Sequence, residues 1–231
     1  ADNGAFTVTV AVNDVTDTGQ DTAPVTVNNV APAVNAGADA IITEGGTFLS
    51  LGSFTDPGAD TWTATVNYGD GTVTQALALT GKTFNLSHVY ADNGAFTVTV
   101  VVDDGTGNGQ NTALVTVNNV APAVNAGADA TIDEGDTFAQ SGSFTDPGAD
   151  SWLATVDYGD DTGVQLLALT GKNFSLSHTY TSAAGSPYTV TVTVTDDDTG
   201  AGSDPVIVTV LAVAGGTGSI TGTVTDDSGT T

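Results

Sequence analysis

The chain has 231 residues, of which 27 are acidic and only two, both lysine, are basic; it carries a formal net charge of −25 and contains neither Cys nor Met. Two cations cannot neutralise a phosphate backbone or hold an anionic membrane surface, and no run of about 18 apolar residues is present, so nucleic-acid binding and membrane insertion are excluded. Without Cys there is no disulfide, thiolate nucleophile or zinc thiolate site, and two His leave little for transition-metal or acid–base chemistry.

Hydrophobic residues make up 39% and charged residues only 13%, so the chain is not of the disordered type. Val and Thr are abundant, as on a pleated, half-buried surface. In chain order, Phe6, Val8, Val10 and Val12 alternate along a first strand. A short joint, Asn28 to Pro32, follows. Strands are then predicted at 46–51, along Trp62, Ala64, Val66 and Tyr68, at 73–79 and at 83–88. Two long ones come next. In the first, Phe96, Val98, Val100 and Val102 share a face, and in the second, Ala113, Val115 and Val117 do. Gly, Asp, Asn and Pro clusters separate the strands. No stretch has a helical period.

The same order then repeats. Ala1 to Val10 recurs identically at Ala91 to Val100, and Val27 to Ala40 recurs at Val117 to Ala130. Gly52 to Asp60 recurs at Gly142 to Asp150. The period of about 90 residues suits a whole sandwich domain and is too long for a solenoid turn. Residues 1–29 read as the last two strands of a repeat, 30–119 and 120–212 as complete repeats, and 213–231 as the start of a further β domain or a tail. The Pro-containing joints at 28–32 and 118–122 are expected to be stiff and extended. The missing initiator Met and secretory leader read as a mature product or an excerpt of a longer chain.

Tyr68-Gly69-Asp70-Gly71, then Leu86 to Tyr90, then Gly94 to Val100 resemble the motifs of the PKD (polycystic kidney disease) domain. Tyr158-Gly159-Asp160, His178-Thr179-Tyr180 and Tyr188 to Val192 repeat the pattern, with Asp161 where the family has Gly. The resemblance implies an all-β chain of tandem immunoglobulin-like antiparallel β-sandwiches, extracellular and not catalytic. The segment Gly218 to Gly229 is similar to the opening of a carboxypeptidase-regulatory-like sandwich.

Some modules of this kind bind Ca2+ at a domain joint. Carried over, the resemblance gives Asn29, Asp56, Asp60 and Asp103 as ligands in the first repeat, and Asn119, Asp146, Asp150 and Asp196 in the second. The plain alternative is that Asp favours turns and solubilises a surface. His88 and His178 lack a nucleophile at a recognisable spacing and read as packed at strand ends. Lys82 and Lys172 read as partners of ordinary ion pairs with neighbouring carboxylates.

The expected role is a non-enzymatic spacer, stalk or adhesive element of a large prokaryotic surface protein. Its expected partners are neighbouring repeats or identical subunits, with surface glycans or proteins as a further class. A filament subunit assembled by strand complementation and a carbohydrate- or protein-binding module of a secreted hydrolase are the alternatives. The two Trp fall at equivalent strand positions, which argues against a sugar-binding platform.

Overall fold

A computed structural model describes residues 3–213, so the segment from Gly218 to Gly229 lies outside the described residues. Contacts divide the chain into two units, Ala1–Val120 with Pro147–Asp150, and Ala121–Asp146 with the rest of the described chain. Every regular element among the described residues is a strand.

The first unit opens with a hairpin, β1 (Gly4–Asn13) and β2 (Thr18–Val27), which among the described residues pair only with each other. Then come β3 (Ala33–Asn35), β4 (Ala40–Thr43), β5 (Thr47–Thr55), β6 (Thr63–Asn67), β7 (Gln75–Ala76), β8 (Thr83–Val89), β9 (Gly94–Asp103) and β10 (Asn108–Asn118). Strands β4-β10-β9-β6-β7 form one sheet and β3-β5-β8 the other. All pairs are antiparallel except β4, which runs parallel to β10.

Alternation decides which residues meet between the sheets. From β9, Val98, Val100 and Val102 turn inward with no exposed surface; from β10, Ala113, Val115 and Val117 also turn inward and are at most 3% exposed. Phe48 and Phe54 of β5, and Phe84 and Leu86 of β8, face them from the other sheet. Burying each such side chain contributes roughly 1.5–3 kcal/mol. The alternating faces predicted for Trp62 to Tyr68, for Phe96 to Val102 and for Ala113 to Val117 are therefore the observed core faces. The strand expected at 73–79 shortens to Gln75–Ala76, and β3 and β4 were not anticipated.

The second unit repeats the plan. Its strands are β11 (Ala123–Asn125), β12 (Ala130–Asp133), β13 (Thr137–Thr145), β14 (Trp152–Asp157), β15 (Gln165–Leu167), β16 (Leu169–Thr170), β17 (Asn173–Thr179), β18 (Tyr188–Asp196) and β19 (Ala201–Leu211). The sheets are β12-β19-β18-β14-β15 and β11-β13-β17-β16. Two extra residues lie between Tyr180 and Tyr188 compared with Tyr90 and Phe96. Tyr188 anchors this longer loop: its hydroxyl donates to the Ser182 carbonyl at 2.7 Å and accepts from Gly185 N–H.

Candidate metal centre

In the first unit, the turns after β5 and β9 each carry acidic residues. Asp56 is nearly buried, and both its oxygens are engaged: Oδ1 accepts from Gly58 N–H and Oδ2 from Trp62 Nε1–H, each at 2.9 Å. Asp104 is equally buried. Its Oδ1 accepts from the N–H groups of Thr106 and Gly107, and its Oδ2 from the Asn29 side-chain amide at 3.0 Å. The Asn29 hydrogen bond, with the two backbone donors, holds the Asp104 carboxyl below the usual carboxylate range. Asp60 completes the group: one ligand oxygen from each of Asp56, Asp60 and Asp104 lies within 4.8 Å of the others.

The structure thus brings Asn29, Asp56 and Asp60 of the expected set together with Asp104, not with Asp103. Asp103 is the last residue of β9. Strand parity turns Val102 inward and Asp103 out to solvent, where its Oδ1 accepts from Gly105 N–H at 2.6 Å. The turn then reverses the chain and points Asp104 in. The alternation from Phe96 to Val102 carries that signal in the sequence.

Of the second expected set, Asn119 and Asp150 fall in the first unit and Asp146 and Asp196 in the second. Asp146 Oδ2 accepts from Trp152 Nε1–H at 2.9 Å, as Asp56 does from Trp62. Asp196 takes the place of Asp104: it is buried, and its Oδ1 accepts from Gly200 N–H at 2.6 Å.

The lysines differ from the ion pairs expected of them. Lys82 Nζ donates to the backbone carbonyl of Asp56 and sits 4.7 Å from the centre of the Trp62 ring. Lys172 does the same with the Asp146 carbonyl and Trp152, at 4.5 Å from the ring. Each lysine therefore clamps its acidic loop through a cation–π contact and a carbonyl. The 20-residue separation of Lys82 from Trp62 hides this pairing from a reading of the sequence.

Each histidine is held from three sides. His88 Nε2–H donates to Asp70 Oδ2 at 2.6 Å, its ring stacks on Tyr68 at 4.1 Å, and Tyr90 meets it edge-on. Burial alone would raise the Asp70 carboxyl. Hydrogen bonds from the Thr72 hydroxyl, from His88 and from Thr72 N–H outweigh it and hold the group at about 2. His178, Asp160 and Tyr158 repeat the arrangement, and the Asp160 carboxyl is likewise lowered. Gly69 enters this turn at φ +81°, where an added Cβ would lie 2.6 Å from the Thr97 carbonyl oxygen. Asp161, standing where Gly was expected, keeps the turn at φ +65°, a conformation Asp tolerates.

The family model described as PKD domain matches residues 29–118 and again 119–210. No curated protein matches the chain. Among solved structures, titin domains Z1Z2 in complex with telethonin align over 81% of this chain and 100% of theirs, at 14% identity and a TM-score of 0.46. An endo-fucoidan hydrolase, MfFcnA4 of glycoside hydrolase family 107, aligns over 93% of this chain at 19% identity and a TM-score of 0.40. The chain spans 35% of the length of that hydrolase.

Proposed function

Because the chain belongs to the PKD domain family, we propose that it is a non-enzymatic structural module of an extracellular surface protein, a spacer or stalk stiffened by calcium. One observation carries the reading: the same sandwich is built twice, and in each copy the chemically capable side chains serve to hold loops. His88 and His178 are wedged between tyrosines and a carboxylate. Lys82 and Lys172 are clamped over tryptophan rings. An epitope displayed on a cell surface through zero, one or two copies of residues 30–212 tests the role. Access of a bulky probe to the epitope rises with copy number if the segment is a spacer. Equal access at every copy number contradicts it.

The donor set of the acidic group fits calcium. Three carboxylates supply hard oxygens close together. Asp56 Oδ1, Asp56 Oδ2 and Asp104 Oδ2 each accept one hydrogen bond and keep a lone pair, whereas Asp104 Oδ1 accepts two. Asn29, Asp56, Asp60 and Asp104 would hold the ion, which would supply the positive charge these neighbouring carboxylates lack. At the affinity of extracellular calcium modules, Kd of about 10⁻⁴ to 10⁻³ M, calcium at ten times Kd adds about 1.4 kcal/mol. For a sandwich of this size that raises the unfolding midpoint by roughly 5–10 °C. The shift between calcium and chelator disappears in Asp104→Asn. No shift in the parent chain overturns the calcium part and leaves the spacer reading standing.

A further inference from the structure

The β1–β2 hairpin repeats the register of the two hairpins that close the sandwiches. Phe6 pairs with Val25, Val8 with Ala23, Val10 with Asp21 and Val12 with Gly19. In β9–β10 the same places hold Phe96 and Val115, Val98 and Ala113, Val100 and Asn111, and Val102 and Gly109. In β18–β19 they hold Tyr188 and Val208, Val190 and Val206, Val192 and Asp204, and Val194 and Gly202. The environments are opposite. Val98, Val100 and Val102 are wholly buried, whereas Val8, Val10 and Val12 are 50%, 58% and 66% exposed.

Two positions of the open hairpin make sense only against a partner. An added Cβ on Gly109 would lie 1.7 Å from the Pro32 carbonyl oxygen, and one on Gly202 would lie 1.7 Å from that of Pro122. At Gly19 no described residue lies within 4 Å of such a Cβ. Asn111 Oδ1 accepts from Ala36 N–H at 3.2 Å, and Asp204 Oδ2 accepts from Ala126 N–H at 2.8 Å. Asp21 presents the same acceptor. Gly and Asp both weaken a strand interior, so neither position helps the hairpin by itself. Together they form a notch for a proline carbonyl and an acceptor for the N–H four residues later, beside an apolar stripe.

We propose that the inner face of β1–β2 is a docking surface for a β3–β8 unit of this same repeat type, the sequence represented by residues 30–90. Its Pro32-to-Ala36 segment lies in the Gly19 notch and on Asp21, and its Phe and Leu side chains cover Phe6, Val8, Val10 and Val25. An intact second copy is not the occupant, since the β3–β8 units of its two repeats are already closed by β9–β10 and β18–β19.

The test adds a polypeptide of residues 30–90 to the full chain, and in parallel joins the same sequence upstream of Ala1 in case the free polypeptide is insoluble. Amide hydrogen exchange is read by NMR. In either format the amides of Val8, Val10 and Val25 gain at least about 100-fold protection. Gly19→Val removes that protection in the joined chain and leaves the unfolding of both sandwiches unchanged in the original one. The proposal is overturned by unchanged exchange in both formats, or by equal protection with Gly19→Val. It is also overturned if protection rises with the concentration of the full chain alone, which would make a second copy the occupant.

Discussion

Tyr90→Phe removes one atom from the core of the first sandwich. The parent side chain is wholly buried, and its hydroxyl donates to the Tyr68 carbonyl at 2.9 Å. Burial pushes that hydroxyl up to about 12, so it remains a protonated donor throughout the neutral range. Phenylalanine keeps the stack on Phe96 at 4.7 Å and the edge contact with His88. The loss is therefore the hydrogen bond, with the Tyr68 carbonyl left in a space that water does not reach. A buried acceptor without its donor costs about 1–3 kcal/mol. A domain of this size loses about 4–8 °C of midpoint per kcal/mol, giving a fall of roughly 4–24 °C. Each sandwich holds one tryptophan, so a Trp152→Phe background reports the first alone through Trp62 fluorescence. Tyr180→Phe, which loses the bond to the Tyr158 carbonyl at 2.8 Å, should leave that signal in place and, in a Trp62→Phe background, lower the midpoint read through Trp152. A midpoint within about 1 °C of the parent for Tyr90→Phe would refute the view that this bond ties the Tyr68 turn to the core.

Other outcomes follow from the same contacts. The Asp70 carboxyl titrates at about 2 in the folded chain against an ordinary 3.8, so its contribution to stability is complete above pH 4 and is lost as pH falls toward 2. Urea midpoints measured across that window should fall in the parent and fall less in Asp70→Asn. Lys82→Met keeps the aliphatic stem but loses the ring contact and the carbonyl bond, and should destabilise the first sandwich by about 1–2 kcal/mol. Equilibrium urea unfolding checks it, and Lys172→Met should act equally on the second. Gly109→Ala brings a methyl onto the Pro32 carbonyl and should prevent closure of β3 on β10, seen as lost Trp62 signal, while Gly19→Ala is neutral in this chain.

How much of this was legible depends on how far each contact runs along the chain. Strands β6, β9 and β10 each bury one clean face, so period-2 alternation found them. Strands β3 and β4 have three and four residues, too few to show a period, and each exists through pairing with a distant strand, β5 and β10. The expected strand at 73–79 is shorter because Val73 is exposed and contact with β6 is confined to Gln75, Ala76 and the Leu77 N–H, which donates to the Ala64 carbonyl. In the acidic group, the turn residues Asp56 and Asp60 were readable, but the choice between Asp103 and Asp104 required the parity of β9 to be carried through its end. The Lys82–Trp62 clamp and the His88–Asp70–Tyr68 cluster join loops by folding alone, and no local pattern announces them.

The most direct test of the account pulls a single full chain from its two ends. Two self-contained sandwiches of about 90 residues should give two separate unfolding events, each lengthening the chain by about 300 Å. Two such events, at higher force in calcium than in chelator, are the predicted result. One combined event, or extension without resistance, would contradict a load-bearing spacer built from repeated sandwiches.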